Sequence, residues 1–367
     1  GGPGSVASVS ATTFLLGNPY PSALDIHKFI DDNAGVISGV LQLWQQWSGT
    51  SHELKDYNGG YAQVNKTGAV RASQFVGLEG ATTGGLEGTK VPTRYLPVGQ
   101  GFITEIVADG TVEFNNGQRI FIKESDANGN YNNGSVFMKG DNKKTGKNNE
   151  SKSNGSKTDS LQKIRLEFSS VTGPDTKREL LLGFSDQTTD GYDYGYDAET
   201  HDASNNDLNL AMEGKSMNIQ AYSKIKADKV VPLNFRSSGE YTFEIKISEL
   251  ENIPEDQDIY LRDNLTGEYF NLREDQPYRF TSEQGIFNLR LEVVFQDKAS
   301  TLSAEEASIE ENYIYYDKGT NSLYAKQLEG EVTRFTLYSI TGQSVMELAD
   351  VERTRLTNGL ELPNMAS

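Results

Sequence analysis

Along most of this chain apolar and polar residues alternate, and helical spacing is nearly absent. A period of two sends successive side chains to opposite faces of an extended strand, so the pattern predicts half-buried strands. Between Leu161 and Gln296 the runs KIRLEF, RELLLGF, MNIQAYS, EYTFEIKI, DIYLRD, EYFNLR and FNLRLEVVF carry it. Asp263-Asn264-Leu265-Thr266-Gly267 supplies turn residues between two of these runs and predicts a hairpin. A two-sheet sandwich is expected for this region. Nearer the N-terminus, strands are expected at Val6 to Leu16, Val36 to Trp47 and Gly60 to Val64. Tyr95 to Lys123 reads as two strands around Ala108-Asp109-Gly110, with a third after Asn116-Gly117. One short helix interrupts the series. Pro19 and Pro21 fix a rigid turn, Ser22 is placed as N-cap, and Asp25 takes the capping-box position. Leu24, Phe29 and Ile30 share one face, and Asn33-Ala34-Gly35 stops the helix. The expected fold class is all-β: tandem antiparallel β-sandwich domains with one short helix near the N-terminus.

Shifts in composition divide the chain. Residues 1–124 read as a β-rich module. Across 125–160 apolar residues give way to Asn, Gly, Ser and Lys, the composition of a linker or loop. Residues 161–296 are the expected jelly-roll-like sandwich, 297–310 a second linker, and 311–367 a tail. The tail alternates again in short pieces, Tyr313/Tyr315, Leu323/Ala325 and Phe335/Leu337/Tyr338, with Ile340-Thr341-Gly342-Gln343 as a hairpin turn.

The tail residues resemble the C-terminal sorting domain of proteins exported by the Bacteroidetes type IX secretion system. Leu323 to Gly330 is similar to that family's first hairpin. Leu337, Tyr338, Gly342, Gln343 and Val345 match its strand-turn-strand motif. The family's terminal strand has no counterpart before Ser367, so the tail reads as a type A-like sorting domain lacking its last strand. Upstream, GNPYPSALD, LWQQW, GGYAQVN and VPTRYLPVGQGF are similar to a β-rich surface module that often precedes such tails. The resemblance implies an extracellular, cell-surface address and the type IX apparatus as a partner of the C-terminal domain; it carries no activity. Asp159-Ser160-Leu161 resembles the O-glycosylation acceptor of Bacteroidetes envelope proteins, with Ser160 as the acceptor. The opening GGPGSVASVS has neither a basic n-region nor an apolar h-region, so with this tail Gly1 is expected to lie inside a longer precursor.

Charge narrows the partners. A net charge of −18 argues against nucleic acid and anionic lipid, which both need clustered Lys and Arg. The chain has no cysteine, which removes disulfides, thiolate metal sites and thiol catalysis together. No apolar run approaches the length of a membrane span.

Candidate chemistry is sparse. The stretch SDQTTDGYDYGYDAETHDASNND holds the densest acidic cluster, including Glu199 and Asp207. Calcium takes about six to eight oxygens from a loop able to fold round it. Asp186, Asp190, Asp193, Asp197 and Asp202 are the candidate ligands. The competing reading is a solvent loop in which Asp and Gly serve turn geometry. Asp126-Ala127-Asn128-Gly129-Asn130 begins like an EF-hand loop, but Tyr131 and Phe137 stand where that motif needs Gly and Glu. Trp44 and Trp47, with Tyr57 and Tyr61, are candidates for stacking on sugar rings, although on one strand the two tryptophans face opposite ways. The histidines, His27, His52 and His201, have no metal spacing, and there is no G-x-S-x-G elbow. The glycine-rich stretch at Gly77 to Gly88 lacks a P-loop lysine. The expectation is a non-catalytic structural or adhesive surface protein, an adhesin or filament component, contacting copies of itself or surface polysaccharide. The alternatives are a calcium-dependent carbohydrate-binding module of a polysaccharide-degrading protein and, third, a hydrolase holding two carboxylates in a pocket.

Overall fold

The computed structural model describes residues 12–48, 58–74, 87–124, 134–138, 161–297, 313–317, 322–326, 332–338, 344–352, 355–356 and 359–362. The chain is strand-rich, as its alternation predicts, and forms two compact units, Gly1–Asp297 and Lys298–Ser367.

In the larger unit a five-stranded sheet runs in the order Thr12–Gly17, Gly101–Ile106, Leu41–Ser48, Asn58–Val64, Ala69–Val70. Alternate residues of its strands (Leu41, Leu43, Ala62, Val64, Phe102) turn to one face and are buried against Phe29 and Ile30 of the helix Ile26–Asp32. That helix is capped by Asp25, whose carboxylate accepts from the His27 N–H at 3.1 Å. Ser22 does not cap it. Residues Ala23–Asp25 are extended and pair with Tyr95–Leu96 and Arg119–Ile120, which moves the helix start beyond the reach of Ser22. Asn33 closes the helix and holds both backbone groups of Glu113 through its side chain, at 3.0 and 2.6 Å. Residues 111–115 are therefore tied beside the helix, with Phe114 against Phe29, instead of forming the strand expected after Gly110. The expected linker is also partly core. Met138 is buried with the helix and sheet, and its N–H donates to Gln100 Oε1 at 2.9 Å.

The second sheet has eleven strands. Its main order is Glu268–Asn271, Tyr260–Asp263, Gly285–Val294, Val230–Ser237, Asp207–Met212, Lys215–Ser223, Lys177–Ser185, Gln162–Ser170, Tyr241–Glu251, Tyr278–Ser282. Ala198–Glu199 adds a short strand to Lys215–Ser223. Neighbours are antiparallel except Lys177–Ser185 and Lys215–Ser223, which run parallel. The seven predicted runs all fall in strands; Asp207–Met212, Val230–Ser237 and Tyr278–Ser282 join them. One sheet thus carries the strands assigned to a two-sheet sandwich, and polar side chains tie its two ends together. Asp263, next to one end, accepts from the Tyr278 hydroxyl at 3.1 Å on the strand at the other end. Arg290 pairs with Asp263 and donates to the Thr281 carbonyl at 3.2 Å. The curl encloses an aromatic core in which Phe168 stacks on Phe243 at 5.3 Å and Phe235 meets Phe280 edge-on.

The smaller unit pairs Tyr313–Asp317, Ser322–Lys326 and Leu360–Glu361 in one sheet and Val332–Tyr338 with Ser344–Val351 in another. Ala325, Val351, Leu356 and Leu360 make its core. Among the described residues no helix is long and apolar enough to cross a membrane.

Candidate functional site

The five-stranded and eleven-stranded sheets of the larger unit meet at the acidic stretch singled out in the sequence. Val40 and Val70 of the first region and Leu181, Ala198 and Ile219 of the second form one buried cluster. The sequence boundary across residues 125–160 therefore runs through a single packed body. Residues 186–200 lie along this junction as a strap. The Lys66 N–H donates to the Gly195 carbonyl at 2.7 Å and the Thr67 hydroxyl to the Tyr196 carbonyl at 2.6 Å. In the other direction the Tyr194 hydroxyl donates to Ile30 O and the Tyr192 hydroxyl to Ser38 O. Gln63 bridges to the Glu199 carbonyl and accepts from Asn218. At the tightest point backbone meets backbone: a Cβ on Gly39 would lie 2.8 Å from the Gly195 Cα.

The five candidate calcium ligands do not converge. Asp186 pairs with Lys224 at the surface. Asp190 accepts from Lys229 and Ser223, and against the cost of burial these bonds hold its carboxyl below the ordinary range. Asp193 accepts from Thr189, closing a turn. Asp197 is fully buried and accepts from the Asp193 N–H at 2.6 Å and the Ala221 N–H at 2.7 Å. Asp202 belongs to a buried pair with Arg178, which also holds Asp207 through two bonds of 2.9 and 2.8 Å. Among the described residues, no group of three or more His, Asp or Glu side chains is placed to hold a metal ion. Each carboxylate serves a separate structural bond because the strap is stretched along the junction rather than coiled round a point.

Asp197 is chemically distinct. Burial pushes its carboxyl up to about 7; the bonds from the Asp193 and Ala221 N–H groups oppose the shift, and the Asp193 charge adds to it. Sequence composition could not single it out, since Asp190, Asp193 and Asp197 all lie within one short run of Asp, Gly and Tyr.

The aromatic candidates separate. The Trp44 ring is half-buried, meets Tyr61 edge-on at 5.0 Å with the planes at 65°, and covers Gly59 on the neighbouring strand. That is cross-strand packing, not a coplanar platform. The Trp47 side chain and Tyr57 lie outside the described residues, as do Ser160, Gly342 and Gln343. Of the sorting motif, Leu337, Tyr338 and Val345 fall on the paired strands Val332–Tyr338 and Ser344–Val351.

A family model described as "Domain of unknown function (DUF8693)" matches residues 3–295. No curated protein and no solved structure matches the chain.

Proposed function

The chain belongs to the DUF8693 family, and on that footing we propose that it is a non-catalytic protein of the bacterial cell surface, structural or adhesive, whose C-terminal unit is a type IX-like sorting module. The carrying observation is a coincidence of two boundaries. The family match ends at residue 295, and the compact body it covers ends at Asp297. Lys298–Ser367 form a separate β unit, and its strands Val332–Tyr338 and Ser344–Val351 bear the Leu337, Tyr338 and Val345 positions of the sorting resemblance. A family body with an independent tail is the arrangement expected of cargo and address. The reading has the type IX apparatus as the tail's partner, with the β-modules as spacer and contact surface. Edge strands are the proposed contact elements, because their unpaired backbone groups can accept a strand from another copy. Among the described residues Thr12–Gly17 is an outer strand of the five-stranded sheet, without a charged residue and with Leu15 77% exposed.

The test is export. The chain is placed behind a secretion signal in a bacterium that has a type IX apparatus, with and without residues 298–367. Surface display only with the tail is the expected result, and it is lost in the double variant Leu337→Asp, Tyr338→Asp. Equal display of the tailless chain would refute the assignment.

A further inference from the structure

We propose that copies of this chain join head to tail, the Leu15 face of one copy seating on an aliphatic patch of the next. The inference rests on the self-contacting surface protein read above and names the two surfaces that touch. On the eleven-stranded sheet and its loops, Leu265, Ile286 and Leu289 are 71, 75 and 79% exposed; among the described residues of 161–297 no other large apolar side chain exceeds 50%. Polar bonds fix the backbone that carries them. Leu233 pairs with Leu291 and Phe235 with Phe287, so residues 288–290 bulge out opposite Asn234 alone. Asn264 ties this bulge to the neighbouring hairpin loop. Its Nδ2 donates to the Leu289 carbonyl at 2.9 Å and its backbone N–H to the Arg290 carbonyl at 2.7 Å. The Leu265 N–H in turn donates to the buried Asp263 carboxylate at 2.9 Å. Leu265 and Leu289 are thereby held at one place, with Ile286 on the same strand as Leu289.

Charge complementarity selects the occupant. Arg236 stands directly across from Ile286 on the adjoining strand, and among the described residues it has no ion-pair partner. In a chain of net charge −18, an unpaired arginine beside an apolar patch is a place where an acidic surface is drawn in. The outer strand Thr12–Gly17 supplies that surface. Leu15 pairs with Ile103 and Thr13 with Glu105, so alternation puts Leu15, Ile103 and Glu105 on one face. Among the described residues Glu105 has no ion-pair partner either; Lys215, near enough to sense its charge, is bound to Glu199. Spacing agrees with sign. Directly opposed residues, as Ile286 and Arg236 are, lie about 4.5–5.5 Å apart at Cβ. Diagonal neighbours, as Leu15 and Glu105 are, lie about 7–8 Å apart. A Leu15 side chain set among the three aliphatic ones therefore brings Glu105 within reach of the long Arg236 side chain. The two surfaces lie on different sheets, so the contact is heterologous. Each copy uses one surface toward each neighbour, which builds an open chain or a ring rather than a closed pair.

The experiment is sedimentation velocity of the full chain over a concentration series, at low and at raised salt. Species larger than a dimer should grow with concentration and recede with salt, because part of the contact is ionic. Leu15→Asp and Leu289→Asp should each leave a monomer. A one-to-one mixture of those two variants should give a discrete dimer, since each keeps the surface that the other has lost. Glu105→Arg should raise the concentration needed for assembly about tenfold, and Arg236→Glu in the same chain should bring it back. A thermal melt checks that each variant is folded, and the wild-type series decides the matter even where one is not. A wild-type chain still monomeric at about 1 mM, a dimer that survives Leu15→Asp, or a mixture that stays monomeric would overturn the proposal. Lys298–Ser367 is intact in every variant, so failure to assemble leaves the export assignment standing, and failed export leaves assembly standing.

Discussion

Gly195 stands where the strap's backbone touches the first sheet, at φ +75° in the left-handed region. A Cβ there would lie 2.8 Å from the Ile30 methyl, so Gly195→Ala adds both a backbone penalty and a clash. We expect a loss of about 2–4 kcal/mol in urea unfolding. Arg178 is a second decisive residue. It is buried between Asp202 and Asp207, and although burial opposes its charge, the two carboxylates raise its pKa. Arg178→Met leaves two carboxylates without their cation and should cost about 3–5 kcal/mol by the same measurement. The strap's carboxylates are taken by protein groups. A thermal melt should accordingly be the same in calcium and in chelator; a clear drop with chelator would restore a metal role to this loop. The sequence displayed the aspartates as a cluster, but their partners (Lys224, Lys229, Ala221, Arg178) lie outside that stretch, and nothing local marks those pairings.

At the level of elements, period-two alternation was legible wherever a strand is half-buried and bounded by turns. The tail shows this: Tyr313–Asp317, Ser322–Lys326 and Val332–Tyr338 fall where the short alternating pieces lie. The N-terminal helix shows the limit. Ser22 and Asp25 are both competent N-caps by residue type. The choice falls to Asp25 because Ala23–Asp25 is drawn into pairing with strands about 70 to 95 residues away in sequence. Arg94 then locks the cap with two bonds to the Asp25 carboxylate, at 2.8 and 2.7 Å. Asp25→Ala removes the cap and that partner together and should destabilise the larger unit by about 1–3 kcal/mol in urea unfolding. The strand expected after Gly110 failed for a related reason: Asn33 takes the Glu113 backbone groups that a sheet partner would need.

For the whole molecule, the separation at Asp297 predicts that residues 1–297 alone melt at the temperature of the corresponding transition in the full chain. A drop of more than a few degrees would show that the tail contributes to the larger unit's stability. Strand content, the helix near the N-terminus, the break before the tail and the lack of thiol chemistry could all be read from the sequence, because each depends on the order or identity of neighbouring residues. Tertiary structure alone decided that the regions either side of 125–160 pack into one body. It also decided that Asp263 and Arg290 tie the ends of an eleven-stranded sheet, and that Asp197 rather than Asp193 is the buried carboxyl. These outcomes depend on which surfaces meet after the strands have formed. Burial, charge pairing and the shift of a carboxyl toward neutrality are set by neighbours in space, and alternation along the chain carries no information about them.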